Sequence, residues 1–401
     1  MKIKNITFIS LNYAPEDTAI GLYSTQWVEY LKNKGFKVTV VTAFPYYPKW
    51  EISQAYKNKK TFLKEENDGI KILRYKQYVP KTPSFLKRII HLLDFTFGSF
   101  INLNKIKDCD LVISIVPFTT SAFLGYLHKK RHGAKLWAHI QDFEFDAALQ
   151  TGVGKKKNYF FSPLFSLEKW LFSRPDLVST ISHTMLKKLS LKSSADQFFM
   201  PNWIDEKEIN PSTSKTHPYL NTNKIKILYS GNIGDKQDWE IFLQFCKDID
   251  KSTYEIVVVG DGSKKDWLVS KIESFNNVKH YQPVPFKELS DLLCSADVHI
   301  LFQKSEVLDT VMPSKVLGMM ASSKLSVIIG NDKSEVKTIF KNSDSGLYFS
   351  SYSKSIIETI NNFINDKARL HQNGINSRTY VIENFSKNTI LKKMYEKLVQ
   401  L

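Results

Sequence analysis

Two glycines three residues apart follow an apolar strand pattern in the second half of the chain. The strand pattern covers 225–230, and the next seven residues read Gly-Asn-Ile-Gly-Asp-Lys-Gln before a helical pattern begins at Trp239. A strand that ends in glycines and leads into a helix lets backbone amides and the positive end of the helix dipole contact an anion. We therefore expect a diphosphate to bind here, with contacts from Gly231, Asn232, Ile233, Gly234, Gln237 and, after the next strand, Gly260.

A second anion-binding pattern lies further along, in Asp-Thr-Val-Met-Pro-Ser-Lys-Val-Leu-Gly over residues 309–318. Pro313 and Ser314 suit the first turn of a helix, where unpaired backbone amides point outward. Lys315 is then placed to pair with a phosphate, beside the amide of Val316. Asp309, just before the helix, suits sugar hydroxyls rather than phosphate. The alternative is an ordinary capped helix.

In the first half, ionisable residues cluster where a predicted strand ends, in His-Ile-Gln-Asp-Phe-Glu-Phe-Asp over 139–146. Open α/β sheets bind ligands at the carboxyl ends of their strands. Asp142 could orient or deprotonate an acceptor hydroxyl, with Asp146 as a further acceptor contact. His139 is either a catalytic group or a buried histidine within the strand. Near the amino terminus, Gly21 opens a helix and could let a ligand approach the backbone, or belong to a plain strand–helix connection.

Basic and aromatic residues alternate in two segments of the first half. Lys87, Arg88, Phe95 and Phe97 lie in one, and Lys155, Lys156 and Lys157 precede Tyr-Phe-Phe in the other. Basic residues beside aromatic ones suit an anionic membrane surface. The alternative is a core helix with a solvated basic edge.

The net charge of +16 over 401 residues fits an anionic partner, and no nucleic-acid-binding signature is present, so nucleic acid is not expected. No apolar run of about 18 residues indicates a transmembrane helix. The three cysteines form no disulfide or metal-binding pattern. Two Asp-x-Asp triplets, at 108–110 and 248–250, look like polar connectors, so we expect no metal and no cofactor. A cytoplasmic protein, peripheral at the inner face of the cell membrane, is expected.

The elements that must position these residues alternate between strand and helix in both halves. The first half carries six candidate strands between residues 7 and 181, and five more follow between 225 and 329. Such alternation predicts βαβ units and parallel sheets. We expect an α/β protein with two Rossmann-like domains facing a central cleft: an acceptor domain at 1–203, a linker at 204–223, and a nucleotide-sugar-binding domain at 224–378. A terminal helix at 379–401 is expected to cross back onto the first domain.

Taken together, these motifs resemble the retaining glycosyltransferases of family 4, which have the GT-B fold. The segments that carry the resemblance are 43–48, 78–81, 139–146, 201–203, 230–237 and 313–315. Within the family, the likeness is to bacterial enzymes of capsule, O-antigen and colanic-acid assembly, in the branch that transfers fucose or N-acetylfucosamine. The resemblance implies transfer from a UDP- or GDP-sugar to a polyprenyl-diphosphate-linked glycan, in lipopolysaccharide or capsule synthesis.

The sequence also departs from the family pattern. Asn232 and Gln237 stand where the family commonly has Arg and Lys, and Thr310 (or neighbouring Asp309) and Gly318 stand where it commonly has two glutamates. These departures give Lys315 more weight in neutralising the diphosphate. The departures also keep open a non-catalytic membrane-bound module that binds nucleotide sugars. A further alternative is a GT-B nucleotide-sugar epimerase, which would use the same donor site but no lipid acceptor.

Overall fold

The computed structural model describes residues 3–17, 19–82, 84–116, 119–143, 158–306 and 314–401. The chain forms two compact units. Unit 1 comprises Met1–Pro201 together with Leu391–Leu401, and unit 2 comprises Asn202–Ile390. Each unit is an α/β layer structure built on its own sheet.

Unit 1 contains an eight-stranded sheet within its described residues, in the order β3-β4-β2-β1-β5-β6-β7-β8. Its strands are parallel except β3, which pairs antiparallel with β4. The central strands are buried because helices flank the sheet; β5, Leu-Val-Ile-Ser-Ile-Val, is buried along its whole length. The strand bounds are β1 Asn5–Ile9, β2 Lys37–Ala43, β3 Phe62–Asn67, β4 Ile70–Tyr75, β5 Leu111–Val116, β6 Lys135–Ile140, β7 Leu177–Thr180 and β8 Asp196–Phe199.

Five described helices accompany this sheet, and α2 packs on α3, which packs on α4. Helix α5 begins with a capped turn, because the Ser182 side chain accepts a hydrogen bond from the Met185 amide at 3.0 Å. The helix bounds are α1 Ala19–Asn33, α2 Phe85–Leu103, α3 Thr119–His132, α4 Asn158–Phe172 and α5 His183–Lys192.

Within its described residues, unit 2 contains a six-stranded parallel sheet in the order β11-β10-β9-β12-β13-β14. Its strands are β9 Ile225–Ser230, β10 Tyr254–Val259, β11 Val278–Tyr281, β12 Val298–Phe302, β13 Leu325–Ile329 and β14 Leu347–Phe349. Its described helices are α6 Trp239–Asp248, α7 Lys265–Ile272, α8 Leu289–Ser295, α9 Ser314–Ala321, α10 Glu335–Ser343, α11 Ser355–Asn365 and α12 Lys367–Phe385. The last helix, α13 Lys387–Leu398, begins in unit 2 and continues into the Leu391–Leu401 segment of unit 1.

The segment 204–223, expected to be a linker, packs onto unit 2. Ile209 and Leu220 are buried in that unit's hydrophobic core. The Asn210 amide donates to Ser290 Oγ at 3.0 Å, and the His217 amide donates to Ser295 Oγ at 2.8 Å. Arg378 on α12 donates to the Ile209 carbonyl at 2.8 Å. These contacts order the segment that the polar composition predicted to be a linker.

Candidate functional site

The candidate anion site of unit 2 lies at the point where strand order reverses. Strand β9 has β10 on one side and β12 on the other, and ligands of open α/β sheets bind beside the carboxyl ends of such strands. The glycine loop follows β9 directly, and α9 begins after β12. The fold therefore brings the glycine loop and the start of α9, which carries Lys315, to one edge of one sheet.

The glycines of the loop are required by close packing. Gly231 has φ of +137°, and a Cβ there would lie 2.3 Å from Lys315 Cε. A Cβ at Gly260 would lie 2.0 Å from the Gly231 carbonyl oxygen. The loop after β10 can approach the Gly231 carbonyl this closely only because Gly260 has no side chain. A Cβ at Gly231 would have to displace the flexible end of Lys315 and would also strain a backbone with positive φ.

Three backbone amides of the glycine loop differ from the expectation that they contact a diphosphate. The amides of Gly231 and Ile233 donate to the carbonyls of Val259 and Asp261 at 2.9 and 2.8 Å, and the Gly234 amide donates to Gln237 Oε1 at 3.1 Å. These three donors hold the loop in shape and are not directed at a ligand. The Ile233 side chain is also fully buried, and Gln237 is turned into the loop. Asn232, by contrast, has an exposed side chain.

Lys315 reaches from the first turn of α9 to the end of β9. Its Nζ donates to Tyr229 Oη at 2.7 Å and to the Asn232 carbonyl at 3.1 Å, and it lies 4.7 Å from the centre of the Tyr229 ring. Both hydrogen-bond acceptors are neutral oxygens. Burial lowers the pKa of Lys315 to about 7, because the ammonium loses part of its hydration inside the protein. A bound phosphate would compensate the ammonium charge.

Other residues expected around Lys315 have different positions. Ser314 is exposed at the start of α9, and the Val316 side chain is buried, so Val316 can contribute only its backbone amide. First-turn amides have no partner within their own helix. Asp309 lies outside the described residues.

In unit 1, His139 is part of the core. Its exposed fraction is 2% in β6. Its Nδ1 and Ser179 Oγ are 2.8 Å apart, its Nε2 lies 2.9 Å from Gln141 Nε2, and its ring packs edge-on against Trp27. Burial lowers the pKa of His139 to about 3, so the imidazole is neutral. A catalytic role by direct contact is therefore not supported, and His139 positions Gln141 at the end of its strand.

Asp142 follows β6 and has an exposed side chain. Its Oδ1 accepts a hydrogen bond from the Phe143 amide at 2.8 Å, and Phe143 itself is buried. The aspartate is thus anchored at the carboxyl end of the strand while its carboxylate faces outward. Asp146 lies outside the described residues.

Sequence reasoning overlooked Glu16, a buried carboxylate after β1. Its Oε1 accepts the amides of Tyr46 and Tyr47, both at 2.8 Å, and its Oε2 accepts from Asn12 Nδ2 at 2.9 Å. Burial raises the pKa of Glu16. The sequence signal was an acidic residue in the connection between β1 and Gly21.

The Glu16 loop also explains Gly21, because a Cβ there would lie 2.8 Å from Glu16 Cβ. The close neighbour of this glycine is the protein's own loop, so packing accounts for it. A cavity of about 420 Å³, lined in part by Glu16, Tyr46 and Tyr47, opens beside these residues at the carboxyl ends of β1 and β2.

The residues expected at a membrane divide into three groups. Lys87, Arg88 and Phe97 are exposed on α2. Phe95 is a correction: it is fully buried beside Leu11, Ala43 and Tyr46, because it lies on the side of α2 that faces the sheet. Lys155, Lys156 and Lys157 lie outside the described residues.

The Asp-x-Asp triplets serve local structure. Asp110 accepts the amides of Lys4 and Asn5 at 2.9 and 2.8 Å, and Asp250 accepts the Ser252 amide at 3.0 Å. Within the described ranges, no three His, Cys, Asp or Glu side chains cluster as metal ligands would. In the same ranges, no helix combines the length and the hydropathy that crossing a bilayer requires.

Comparison with known proteins identifies the class. Residues 213–383 match the family model described as glycosyl transferases group 1. The chain is 33% identical, over 82% of its length and 84% of the relative's, to the putative colanic acid biosynthesis glycosyl transferase WcaI of Escherichia coli K12.

Solved structures agree on the fold. Sucrose-phosphate synthase from Thermosynechococcus elongatus superposes with a TM-score of 0.76 at 15% identity, covering 99% of this chain and 98% of that one. Anabaena HepE in complex with UDP-glucose has a TM-score of 0.68 at 12% identity, covering 99% of this chain and 100% of that one. The protein is a glycosyltransferase with the GT-B fold. It belongs to the group 1 glycosyl transferases.

Proposed function

We propose that this glycosyltransferase is a retaining, family 4 enzyme of bacterial surface-polysaccharide synthesis. Its donor would be a UDP- or GDP-sugar, with a fucose-type or N-acetylfucosamine-type sugar favoured by the resemblance described above. Its acceptor would be a polyprenyl-diphosphate-linked glycan. The likeness to a colanic acid glycosyl transferase supports the polysaccharide class, and the UDP-glucose complex of HepE supports a nucleotide-sugar donor.

One observation carries the proposal: Lys315 Nζ, hydrogen-bonded to Tyr229 Oη and the Asn232 carbonyl, at the carboxyl end of β9. When the bond between the sugar and the diphosphate breaks, negative charge develops on the departing phosphate. A preorganised cation at that position stabilises the transition state more than the ground state. Lys315 would supply this charge, with the first-turn amides of α9 as additional donors.

The acceptor side of the reaction is assigned to unit 1. Asp142 would orient the acceptor hydroxyl through its outward-facing carboxylate. The cavity beside Tyr46 and Tyr47 offers aromatic faces and polar groups of the kind that bind sugars. The hydroxyl proton would pass to the departing phosphate, as the family resemblance implies, so that no separate base and no metal is needed.

The test is a donor screen with a polyprenyl-diphosphate-linked monosaccharide as acceptor, read by NMR of the product. We expect one nucleotide sugar to give a glycosylated lipid that keeps the donor's anomeric configuration, with equal turnover in EDTA. Inverted configuration or loss of activity in EDTA would contradict the mechanism. An isomerised nucleotide sugar without acceptor would instead identify an epimerase. No thermal stabilisation by any nucleotide sugar at saturating concentration would contradict the donor site itself.

A further inference from the structure

Helix α2 carries an apolar stripe that no part of the described structure covers. Its members are Leu86, Ile89, Ile90, Leu93, Phe97 and Phe100, each at least 38% exposed. The spacing of three or four residues places them on one side of the helix. The stripe runs from Leu86 to Phe100, so it extends over roughly 21 Å of the 19-residue helix at 1.5 Å per residue.

The opposite side of α2 is already occupied. His91, Phe95 and Ser99 are buried, and a Cβ at Gly98 would lie 2.1 Å from the Tyr75 ring. Packing against the sheet of unit 1 therefore accounts for the inner face alone. The exposed stripe is a second apolar face, and soluble proteins rarely expose a large contiguous apolar surface without a partner.

Neighbouring helices expose further apolar side chains. Phe123 on α3 and Leu167 and Trp170 on α4 are each about 40% to 48% exposed. Helix α2 packs on α3, and α3 on α4; the Tyr126 and Trp170 rings meet edge to face at 5.4 Å. Arg174 lies over the Trp170 ring at 4.6 Å. Aromatic rings beside cationic side chains are typical of the boundary between lipid headgroups and acyl chains.

The charge on α2 indicates which partner fits. Lys87 and Arg88 are exposed beside the stripe, and Lys81 and Lys105 are exposed at the two ends of the helix. Asp94 is the helix's one acidic residue, and it faces the protein: its oxygens accept from Tyr75 Oη at 2.9 Å and from the Tyr78 amide at 2.6 Å. The exposed part of α2 thus combines apolar and positively charged side chains only.

We propose that the α2 stripe inserts into the surface of an anionic membrane, with Lys87 and Arg88 at the headgroups. The inference rests on the proposed function only in that a lipid-linked acceptor would lie on the same membrane. Insertion of the stripe differs from attraction by charge alone, because the apolar contacts persist when salt screens the lysines and arginines.

The experiment measures co-sedimentation of the full-length protein with phosphatidylglycerol-containing vesicles at low salt and in 1 M NaCl, without donor or acceptor. The test variant is Leu93→Ser/Phe97→Ser. The matched control is Leu191→Ser, because Leu191 on α5 is 75% exposed and lies outside the stripe. We expect the wild type and the control to keep a salt-resistant fraction of binding, and the test variant to lose at least tenfold in affinity at high salt. Circular dichroism checks that both variants fold.

Three results would overturn the proposal: equal binding by the test variant and the control, complete loss of wild-type binding in 1 M NaCl, or a dimer in sedimentation analysis that the test variant abolishes. The last result would show that a second copy covers the stripe. Since no sugar transfer is measured, failure here leaves the proposed reaction standing, and failure of the donor screen leaves vesicle binding intact.

Discussion

At the scale of single residues, Lys315 is the candidate site residue on which the proposed chemistry depends most. It is a half-buried lysine that bonds Tyr229 Oη and a carbonyl, and burial lowers its pKa to about 7. An ordinary lysine has a pKa of about 10.4. Between these values the unfolded chain binds more protons than the folded protein at this residue, so its contribution to stability rises with pH across that window.

This difference predicts proton uptake when a donor binds. At pH 8, Lys315 is mostly neutral in the free protein, and an adjacent diphosphate favours its charged form. We expect up to one proton to be taken up per nucleotide sugar at pH 8 and almost none at pH 6, where the lysine is already charged. Calorimetry in buffers of different ionisation enthalpy measures this number. The same uptake in Lys315→Met would place the titrating group elsewhere.

At the scale of elements, the glycine loop after β9 and the start of α9 form one packed arrangement. Gly231 has φ of +137°, and a Cβ at this position would lie 2.3 Å from Lys315 Cε. Gly69 has φ of +75° but nothing within 4 Å of a Cβ, so it isolates the effect of backbone conformation. We expect Gly231→Ala to cost about 2 kcal/mol or more in the free energy of unfolding, and Gly69→Ala roughly 1 kcal/mol.

The Gly231→Ala variant should also bind donor more weakly, because its methyl group displaces Lys315. Denaturant titration gives the stability difference, and donor-induced thermal stabilisation gives the binding difference. If Gly231→Ala matched Gly69→Ala in both measurements, the close contact between the loop and Lys315 would not matter for donor binding.

Elements with strong periodicity were predictable from sequence, and weakly patterned ones were not. The apolar run of β9 was predicted with the bounds that the structure has. Strand β3, Phe-Leu-Lys-Glu-Glu-Asn, was missed because it lies at the sheet edge and has no buried face. A signal was present: Asp68 and Gly69, with φ of +49° and +75°, form a tight hairpin turn to β4.

Residue type and spacing predicted a strand–loop–helix unit at the end of β9, and the structure brings Lys315 against that loop. That a donor binds there stays a prediction, and the individual contacts were not predictable. Which amides are free, and that His139 faces the core, depend on tertiary hydrogen bonds that no local pattern encodes. Phe95 and Phe97 show the same limit of local patterns. They lie only two residues apart on α2, yet Phe95 is buried and Phe97 is exposed.

At the scale of the whole molecule, one reaction accounts for three properties: transfer of sugar from an anionic donor at an anionic surface. These properties are the two α/β units, the net charge of +16 and the likeness to group 1 glycosyl transferases. The domain boundaries proposed from sequence can be probed by limited proteolysis. The central claim, however, is chemical: Lys315 stabilises the departing diphosphate.

The most direct test compares turnover of Lys315→Met with that of Lys324→Met, using the donor and lipid-linked acceptor from the screen. Lys324 lies just after α9, at the amino end of β13 and away from the glycine loop, so it controls for loss of one positive charge in the same unit. Removing a preorganised group of this kind costs roughly 10²- to 10³-fold in kcat. We predict that loss for Lys315→Met, with an unchanged unfolding temperature or a higher one, and near-normal turnover for Lys324→Met. Wild-type turnover in Lys315→Met would contradict the account.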